Sequence, residues 1–334
     1  MAAGKPGPGA DDAVLADLIA LGGAGLTVVE LGPDVRWTEP GPGVVLVGVD
    51  RHGAPSVAAL EAFDILLTVA PAPSRPWVAV RDLDEALARL RGEVGRQPVA
   101  AAVASQVLRS TLGLSFHDAL VLESLAYSML LASSGFRTWR AGAPVRQRAE
   151  DHAPRVEVES DGGALTVRLN RPARRNAFDA AMRDALAEAL GFALEHPDAP
   201  SVVLCGAGPA FSAGGDLDEF GRADDAGRAH LIRTLRSPAA LVHALGDRIT
   251  ARLHGACVGA GIEVPAAAGR VTAAPGSFFR LPEVSMGLIP GAGGTASIPR
   301  RIGRHRAAWM ALSGADVDLA TALDWGLVDA EEAP

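Results

Sequence analysis

Two glutamates lie twenty positions apart in glycine-rich segments of the chain, Glu263 in "GAGIE" and Glu283 in "LPEVSMGLIPGAGGT". Glu263 falls in the first turn of a predicted helix, where the helix dipole favours a carboxylate. Glu283 follows a proline between apolar residues, and such surroundings raise a carboxyl pKa into the range useful for acid–base chemistry. Structural alternatives exist, namely a dipole-stabilised carboxylate for Glu263 and a surface turn for Glu283. Together the two residues are candidates for proton transfer.

Two glycine-rich loops could supply backbone donors beside these acids. In "GPAFSAGGDLDEF" (208–220) a buried strand leads into a loop with few Cβ atoms, so its N–H groups can approach a ligand closely. In "HGACVGAGIEVPAAAG" (254–269) a predicted helix begins near Ala260, and a helix start leaves N–H groups unpaired. Two N–H groups from separate loops can form an oxyanion hole. A tight turn would also explain the first loop.

Composition favours a protein that binds small molecules. The net charge is −8 with scattered arginines, which argues against a nucleic-acid partner. Cys205 and Cys257 are too few for a disulfide framework or a zinc site, so we expect buried thiols in a reducing cytoplasm and no metal. No signal peptide is visible in "MAAGKPGPGADD", and no apolar stretch is long enough to span a membrane.

The pattern along the chain predicts several units. Strands are predicted at 26–31, 43–49, 64–69 and 76–80 and a helix at 55–63, all within a first unit. The predicted organisation is a disordered start at 1–10, a small α/β segment of unknown role at 11–80, a helical module at 81–140, a linker at 141–155, and a larger α/β core at 156–334.

The helical module reads as three helices. Apolar residues at 83, 87, 90 and 94 mark one face of the first helix, and Pro98 begins the second. Ser115 and Asp118 predict a capping box at the start of the third. This third helix, "SFHDALVLESLAYSMLLAS", is apolar nearly all round, so we expect it to be buried on several sides. For Tyr127 within it, a packing role is expected.

Five segments in series resemble the enoyl-CoA hydratase/isomerase (crotonase) superfamily over roughly 155–330. They are "NRPARRNAFD", "FSAGGDL", "GAGIE", "LPEVSMGLIPGAGGT" and "GLVD". The resemblance implies an α/β fold with a spiral of ββα units, to which this chain adds the helical module. It also implies an acyl-CoA thioester as substrate, with coenzyme A as part of that substrate and no permanently bound cofactor. A homo-trimer or hexamer in the cytoplasm, acting in fatty acid metabolism, is the expected setting.

The same resemblance implies roles for backbone groups. The N–H groups of Ala213 and Ala260 would form the oxyanion hole, and Ala213, Gly214, Gly215 and Asp216 would line the CoA side. Among the arginines of "NRPARRNAFD" (171, 174 and 175), Arg174 is our candidate for CoA phosphates, with a solvated loop as the alternative. We expect a structural role for His254. The basic segment 299–308 is predicted to be a solvated helix face, with CoA phosphates or a subunit contact as the alternative.

Both glutamates of the family's hydratases are present here, at the hydratase spacing. The hypothesis is therefore hydration of a 2-enoyl-CoA, in which Glu263 activates water and Glu283 delivers a proton to C2. The alternatives are double-bond isomerisation and a non-catalytic acyl-CoA-binding or assembly protein. Departures from the family pattern, such as Pro265 after Glu263, indicate a divergent member.

The order of the segments in this chain differs from the usual order in the family. Family members usually continue past "GLVD" with several helices that cover the acyl-CoA site, whereas here "AEEAP" follows. Residues 82–140 have the order of those missing helices, which predicts a circular permutation of the module to the N-terminal side. An unrelated helical domain is the alternative. If the permutation is right, this module must pack against the loops at 208–295.

Overall fold

The computed structural model describes residues 25–32, 43–55, 60–143, 145, 153–161, 164–196 and 201–333. The strands are β1 Leu26–Glu30, β2 Val45–Asp50, β3 Ile65–Thr68, β4 Val78–Ala79, β5 Val156–Ser160, β6 Ala164–Leu169, β7 Ser201–Gly206, β8 Ile249–Leu253, β9 Ala256–Val258, β10 Arg270–Ala273, β11 Phe278–Arg280, β12 Val317–Asp318 and β13 Ala330–Glu331. The helices are α1 Leu83–Arg96, α2 Pro98–Thr111, α3 Phe116–Leu131, α4 Ser134–Gly142, α5 Ala180–Glu195, α6 Ala226–Leu235, α7 Pro238–Leu245, α8 Ala260–Glu263, α9 Gly294–Ile302, α10 Arg304–Ser313 and α11 Leu319–Trp325.

The first unit, residues 25–80, contains a four-stranded parallel sheet in which β1 to β4 are adjacent in chain order. Every residue of β2 and β3 is buried, as expected for inner strands of a parallel sheet covered on both faces. The four strands predicted here are confirmed within one or two residues. The predicted helix at 55–63 is a single 3-10 turn at Leu60–Ala62 in its described part, and residues 56–59 lie outside the described residues.

The larger α/β core, residues 156–333 and called the second unit below, holds a six-stranded sheet in the order β13-β10-β8-β7-β6-β5 and a three-stranded sheet in the order β12-β11-β9. In the larger sheet the pairs are parallel except β5 with β6. A bridge between Ser212 and Cys257 aligns the loop after β7 with β9. As a result the two glycine-rich loops at 207–216 and 259–260 lie side by side. The mixed α/β fold confirms the predicted fold class.

The three helices predicted for the helical module form as α1, α2 and α3, and a fourth helix, α4, follows them that was not predicted. Asp82 accepts hydrogen bonds from the first-turn N–H groups of α1, and Ser115 accepts one from Asp118 at the start of α3. The expectation that α3 is buried on several sides is only partly right. Its side toward the second unit is buried, whereas Leu125 and Met129 are more than half exposed.

The module packs against the loops of the second unit, as the permutation requires. Arg140 on α4 donates to the carbonyl of Leu217 at 2.5 Å. A Cβ added to Gly287 would lie 2.6 Å from the backbone nitrogen of Phe136, so the two segments touch. The circular permutation itself stays a prediction. So do the disordered start at 1–10 and most of the linker at 141–155, which lie outside the described residues.

The basic segment 299–308 is not the solvated helix face that its charges predict. Arg304, His305 and Arg306 are all less than a tenth exposed. Arg304 Nη1 donates to the carbonyl of Phe63 at 2.8 Å, and Arg306 Nε donates to that of Trp77 at 3.1 Å. These side chains therefore join the first sheet to α10. The prediction failed because the partners are backbone carbonyls, which a sequence does not display.

In the part of the chain described, no single helix has the length and apolarity to cross a bilayer. The bent pair α3 and α4, with 65° between them, satisfies those two criteria only when taken together.

Candidate active site

A cavity of about 600 Å³ lies between the glycine-rich loops and the helical module. The second unit contributes Gly215, Ala260, Glu263 and Glu283 to its lining. The opposite side is formed by α3 and α6. The cavity therefore brings together both predicted glutamates and one of the two predicted backbone donors.

Glu263, the last residue of α8, is 2% exposed and held by a loop. Its Oε2 accepts hydrogen bonds from the N–H groups of Ala292 at 2.7 Å and Gly294 at 3.0 Å. Burial raises the pKa of this carboxyl well above its ordinary value, and the charges of Glu283 and Glu123 raise it further. The two N–H donors act in the opposite direction by stabilising the ionised form.

Glu283 begins a 3-10 turn and is 7% exposed. Its Oε2 is buried and has no hydrogen-bond partner among the residues described. Burial raises the pKa of the Glu283 carboxyl to about 8, with the charge of Glu123 as a smaller cause. A buried carboxyl with an oxygen that has no donor favours its protonated form.

The two carboxyl groups face each other beside Gly259. This residue has a φ of +51°, and a Cβ added to it would lie 2.5 Å from Glu283 Oε1 and 3.7 Å from Glu263 Oε1. The oxygens are therefore separated by no more than the sum of these distances. Glycine is required here because a side chain would enter the space between the acids. Two such close carboxyls exchange protons as a pair.

Two residues that line the cavity have backbone N–H groups with no hydrogen-bond acceptor among the described residues. Among the described residues, neither Gly215 nor Ala260 donates its N–H to the protein. Ala260 is the first residue of α8, where an N–H has no helical partner. Gly215 forms a parallel bridge with Phe178, whose bonds run through the residues on either side of Gly215. This arrangement leaves the N–H of Gly215 free, as an oxyanion hole requires.

The structure corrects the prediction that Ala213 is an oxyanion donor. Its N–H donates to the carbonyl of Arg175 at 2.8 Å, and the residue does not line the cavity. Gly214 also has an internal acceptor, because its N–H donates to Ser212 Oγ at 3.1 Å. Gly215, which we had placed only on the CoA side, is the residue with a free donor.

Of the other residues predicted for the CoA side, one lines the cavity and one does not. Asp216 lines the cavity and accepts from Arg171 Nη1 at 2.7 Å, so this arginine is engaged in a buried ion pair. Arg174 lies in a short 3-10 turn and is not among the residues that line the cavity. His254 Nε2 lies 2.9 Å from the carbonyl of Gly208, which agrees with a structural role.

A third buried glutamate, Glu123 on α3, was missed by the sequence analysis. Its carboxylate accepts the N–H of Gly293 at 2.7 Å and both the N–H and the hydroxyl of Thr295, at 2.8 and 2.7 Å. Burial raises its pKa to about 7. The signal was available, since an acid in a helix that is otherwise apolar needs polar partners.

Tyr127, for which packing was expected, also lines the cavity. Its ring touches Gly291, because a Cβ added to that glycine would lie 2.4 Å from the ring. The guanidinium of Arg233 on α6 lies over the same ring, 4.7 Å from its centroid. Tyr127 therefore contacts both Arg233 and the loop that holds Glu263.

Comparison with known proteins identifies relatives of the second unit. The family model for enoyl-CoA hydratase/isomerase matches residues 159–332, just over half of the chain. A cyclohexa-1,5-dienecarbonyl-CoA hydratase from Thauera aromatica is 36% identical over 178 residues, which are 52% of this chain and 66% of the relative. A 2,3-dehydroadipyl-CoA hydratase from Escherichia coli is 35% identical over 164 residues, 49% of this chain and 64% of the relative.

A mevalonyl-coenzyme A hydratase from Beauveria bassiana is 34% identical over 173 residues, which are 49% of this chain and 62% of that protein. The chain thus spans somewhat less than two thirds of the length of these curated relatives. Among solved structures, an enoyl-CoA hydratase from Thermoplasma volcanium superposes with a TM-score of 0.50 at 31% identity, covering 55% of this chain and 73% of the other.

Proposed function

This chain belongs to the enoyl-CoA hydratase/isomerase family, and we propose that it adds water across the double bond of a 2-enoyl-CoA. The observation that carries the proposal is the meeting of two buried glutamates and two free backbone N–H groups in one cavity. The relatives described above are all named as hydratases of CoA thioesters, which favours hydration over isomerisation.

The two N–H groups would bind the thioester oxygen. As water attacks C3, negative charge moves onto this oxygen, and the donors of Gly215 and Ala260 stabilise that charge more than they stabilise the ground state. Because neither donor has to break a bond within the protein, the hole is already organised before substrate binds.

The hydrogen bonds of the two glutamates favour a different role in proton transfer for each of them. Burial raises the pKa of both carboxyls, but Glu263 has two N–H donors on Oε2, so it is the better of the pair to act as the carboxylate that accepts a proton from water. Glu283 Oε2 has no donor among the described residues, and a pKa of about 8 keeps this group protonated at neutral pH. The oxygen of water bonds to C3, its proton passes to Glu263, and Glu283 gives its proton to C2. Return of one proton from Glu263 to Glu283 restores the resting enzyme.

Substitution of the acids tests this proposal. E283Q and E263Q should each lower kcat for 2-hexenoyl-CoA by about 10²–10⁴-fold, the usual contribution of one acid–base group. The assay follows loss of the enoyl-thioester absorbance and identifies 3-hydroxyacyl-CoA as the product. E85Q, which changes an exposed glutamate of α1, serves as the control and should keep wild-type rates. Full activity in E283Q would contradict the assigned role.

The product separates the alternatives. A shifted double bond without a hydroxyl group would indicate an isomerase, and tight acyl-CoA binding without turnover would indicate a binding or assembly protein. The trimer or hexamer, the cytoplasmic location, and the role in fatty acid metabolism stay proposals for the whole protein. Sedimentation of the purified chain tests the first of these.

A further inference from the structure

Arg233 is a cation inside the cavity whose hydrogen bonds all go to neutral groups. Its Nη1 donates to Ser124 Oγ at 2.7 Å, to the Ser124 carbonyl at 3.3 Å and to Ser128 Oγ at 3.1 Å. Among the residues that the structure describes, it forms no ion pair with a carboxylate. The serines thus fix the guanidinium through one nitrogen, and no bond within the described protein uses Nε or Nη2.

The carboxylate that interacts electrostatically with Arg233 already has its own hydrogen-bond donors. Glu123 attracts the guanidinium electrostatically, but its two oxygens accept the donors of Gly293 and Thr295. Placing a lone charge in a partly closed cavity is costly unless an opposite charge binds there. The remaining edge of Arg233, formed by Nε and Nη2, has the fork geometry that binds a carboxylate with two parallel hydrogen bonds.

The position of Arg233 favours the acyl end of a substrate over the phosphates of coenzyme A. Its guanidinium lies 4.7 Å from the centroid of the Tyr127 ring. The same ring contacts Gly291, which directly precedes an N–H donor to Glu263. Arg233 and the loop that holds Glu263 therefore contact the same aromatic ring. Of the four other arginines that line the cavity, 222, 228 and 236 are exposed, which suits solvated phosphates, whereas Arg183 pairs with Asp184.

We propose that the acyl chain of the substrate ends in a carboxylate and that Arg233 binds it. This inference rests on the proposed function for its choice of a CoA thioester. It goes further by assigning the substrate class, a 2-enedioyl-CoA rather than a simple 2-enoyl-CoA.

Binding of saturated esters tests the inference without any turnover. Adipyl-CoA and hexanoyl-CoA have the same chain length and differ only in the terminal carboxylate. Titration calorimetry should show that the wild-type protein binds adipyl-CoA about tenfold or more tightly than hexanoyl-CoA, as a charge-assisted pair provides. Equal affinities in the wild-type protein would overturn the inference before any variant is made.

Three substitutions locate the effect. R233M keeps the unbranched apolar part of the side chain and removes the guanidinium. It should abolish the preference while leaving the affinity for hexanoyl-CoA within about twofold. R233K should keep part of the preference, since an ammonium keeps the charge but lacks the fork. R228M removes an exposed cavity arginine and should weaken both esters equally, as expected for a phosphate contact. If R233M weakens both esters equally, Arg233 serves coenzyme A or the fold and the inference fails.

Turnover distinguishes this failure from that of the proposed function. Comparison of 2-hexenedioyl-CoA with 2-hexenoyl-CoA should show a preference in kcat/KM that follows the binding preference and disappears in R233M. A binding preference without hydration of either ester would support the carboxylate site and contradict the hydratase proposal. Hydration of both esters at equal kcat/KM would support the hydratase and overturn the carboxylate site.

Discussion

The two walls of the cavity differ in how they hold their polar groups. The core wall, formed by Gly215, Ala260, Glu263 and Glu283, exposes donors and acids that the protein leaves partly free. The helical wall, formed by Glu123, Tyr127 and Arg233, has its carboxylate fully engaged and its cation fixed by serines. In our proposals the core wall would perform the chemistry, whereas the helical wall would position the loop and select the substrate.

After substitution of the two acids themselves, removal of a single donor from the core wall should have the largest effect on rate. Ala260 is the first residue of α8, a position where proline fits without breaking a helical bond, so A260P deletes the N–H with little change in the fold. We expect kcat to fall by about 10²–10³-fold, the usual value of one oxyanion donor.

Steady-state kinetics of A260P are to be compared with those of S134P. The control places proline at the same position of α4, where Ser133 is already extended, as the residue before proline requires. A loss of activity in S134P as large as in A260P would show that proline itself, and not the missing donor, is responsible.

Substitution in the helical wall should have a smaller effect on rate and a distinct effect on stability. In E123Q the amide nitrogen must face either Gly293 or Thr295, which leaves a buried N–H unpaired at a cost of about 1–3 kcal/mol. Since the neighbouring N–H groups hold Glu263, kcat should fall by about 10–100-fold, less than for an acid of the core wall. Urea unfolding and kinetics measure both, with E85Q as the matched control; a stable E123Q with normal kcat would remove the positioning role.

In E283Q the stability should change in the direction opposite to the rate, with a gain at alkaline pH. The folded carboxyl has a pKa of about 8 against an ordinary 4.5, so the folded state keeps a proton that the unfolded state loses between these pH values. The contribution of this group to stability is therefore present below pH 4.5 and lost as pH rises through about 8. Relative to wild type, E283Q should be about equally stable near pH 4.5 and about 4–5 kcal/mol more stable at pH 9, because each unit of the raised pKa costs the ionising wild type about 1.4 kcal/mol. A difference that does not change with pH would contradict the raised pKa.

The core wall was largely predictable from the sequence. The glutamates and Ala260 follow from motifs whose residue types and spacing are local. The error within "FSAGGDL" is also physical. Which N–H in that loop is free depends on bonds to Arg175 and Phe178, which lie more than thirty residues away in sequence. A motif locates such a loop but does not identify its donor.

The helical wall and the contact between the two units were not predictable in this way. Glu123 and Arg233 have partners more than a hundred residues away, and neither belongs to a recognisable motif. The charges of Arg304 and Arg306 favoured a solvated face because their acceptors, the carbonyls of Phe63 and Trp77, have no side-chain signature. Long-range polar contacts to backbone groups are where reasoning from sequence alone fails.

One loop joins the two walls through alternating N–H groups. Ala292 and Gly294 donate to Glu263, whereas Gly293 and Thr295 donate to Glu123. Four successive residues thus bind two acids in turn, one from each wall. In evolutionary terms positions 123 and 263 are epistatic, because a change at one alters the energetic effect of a change at the other. We therefore expect the two positions to covary and the free-energy effects of their substitutions to be non-additive.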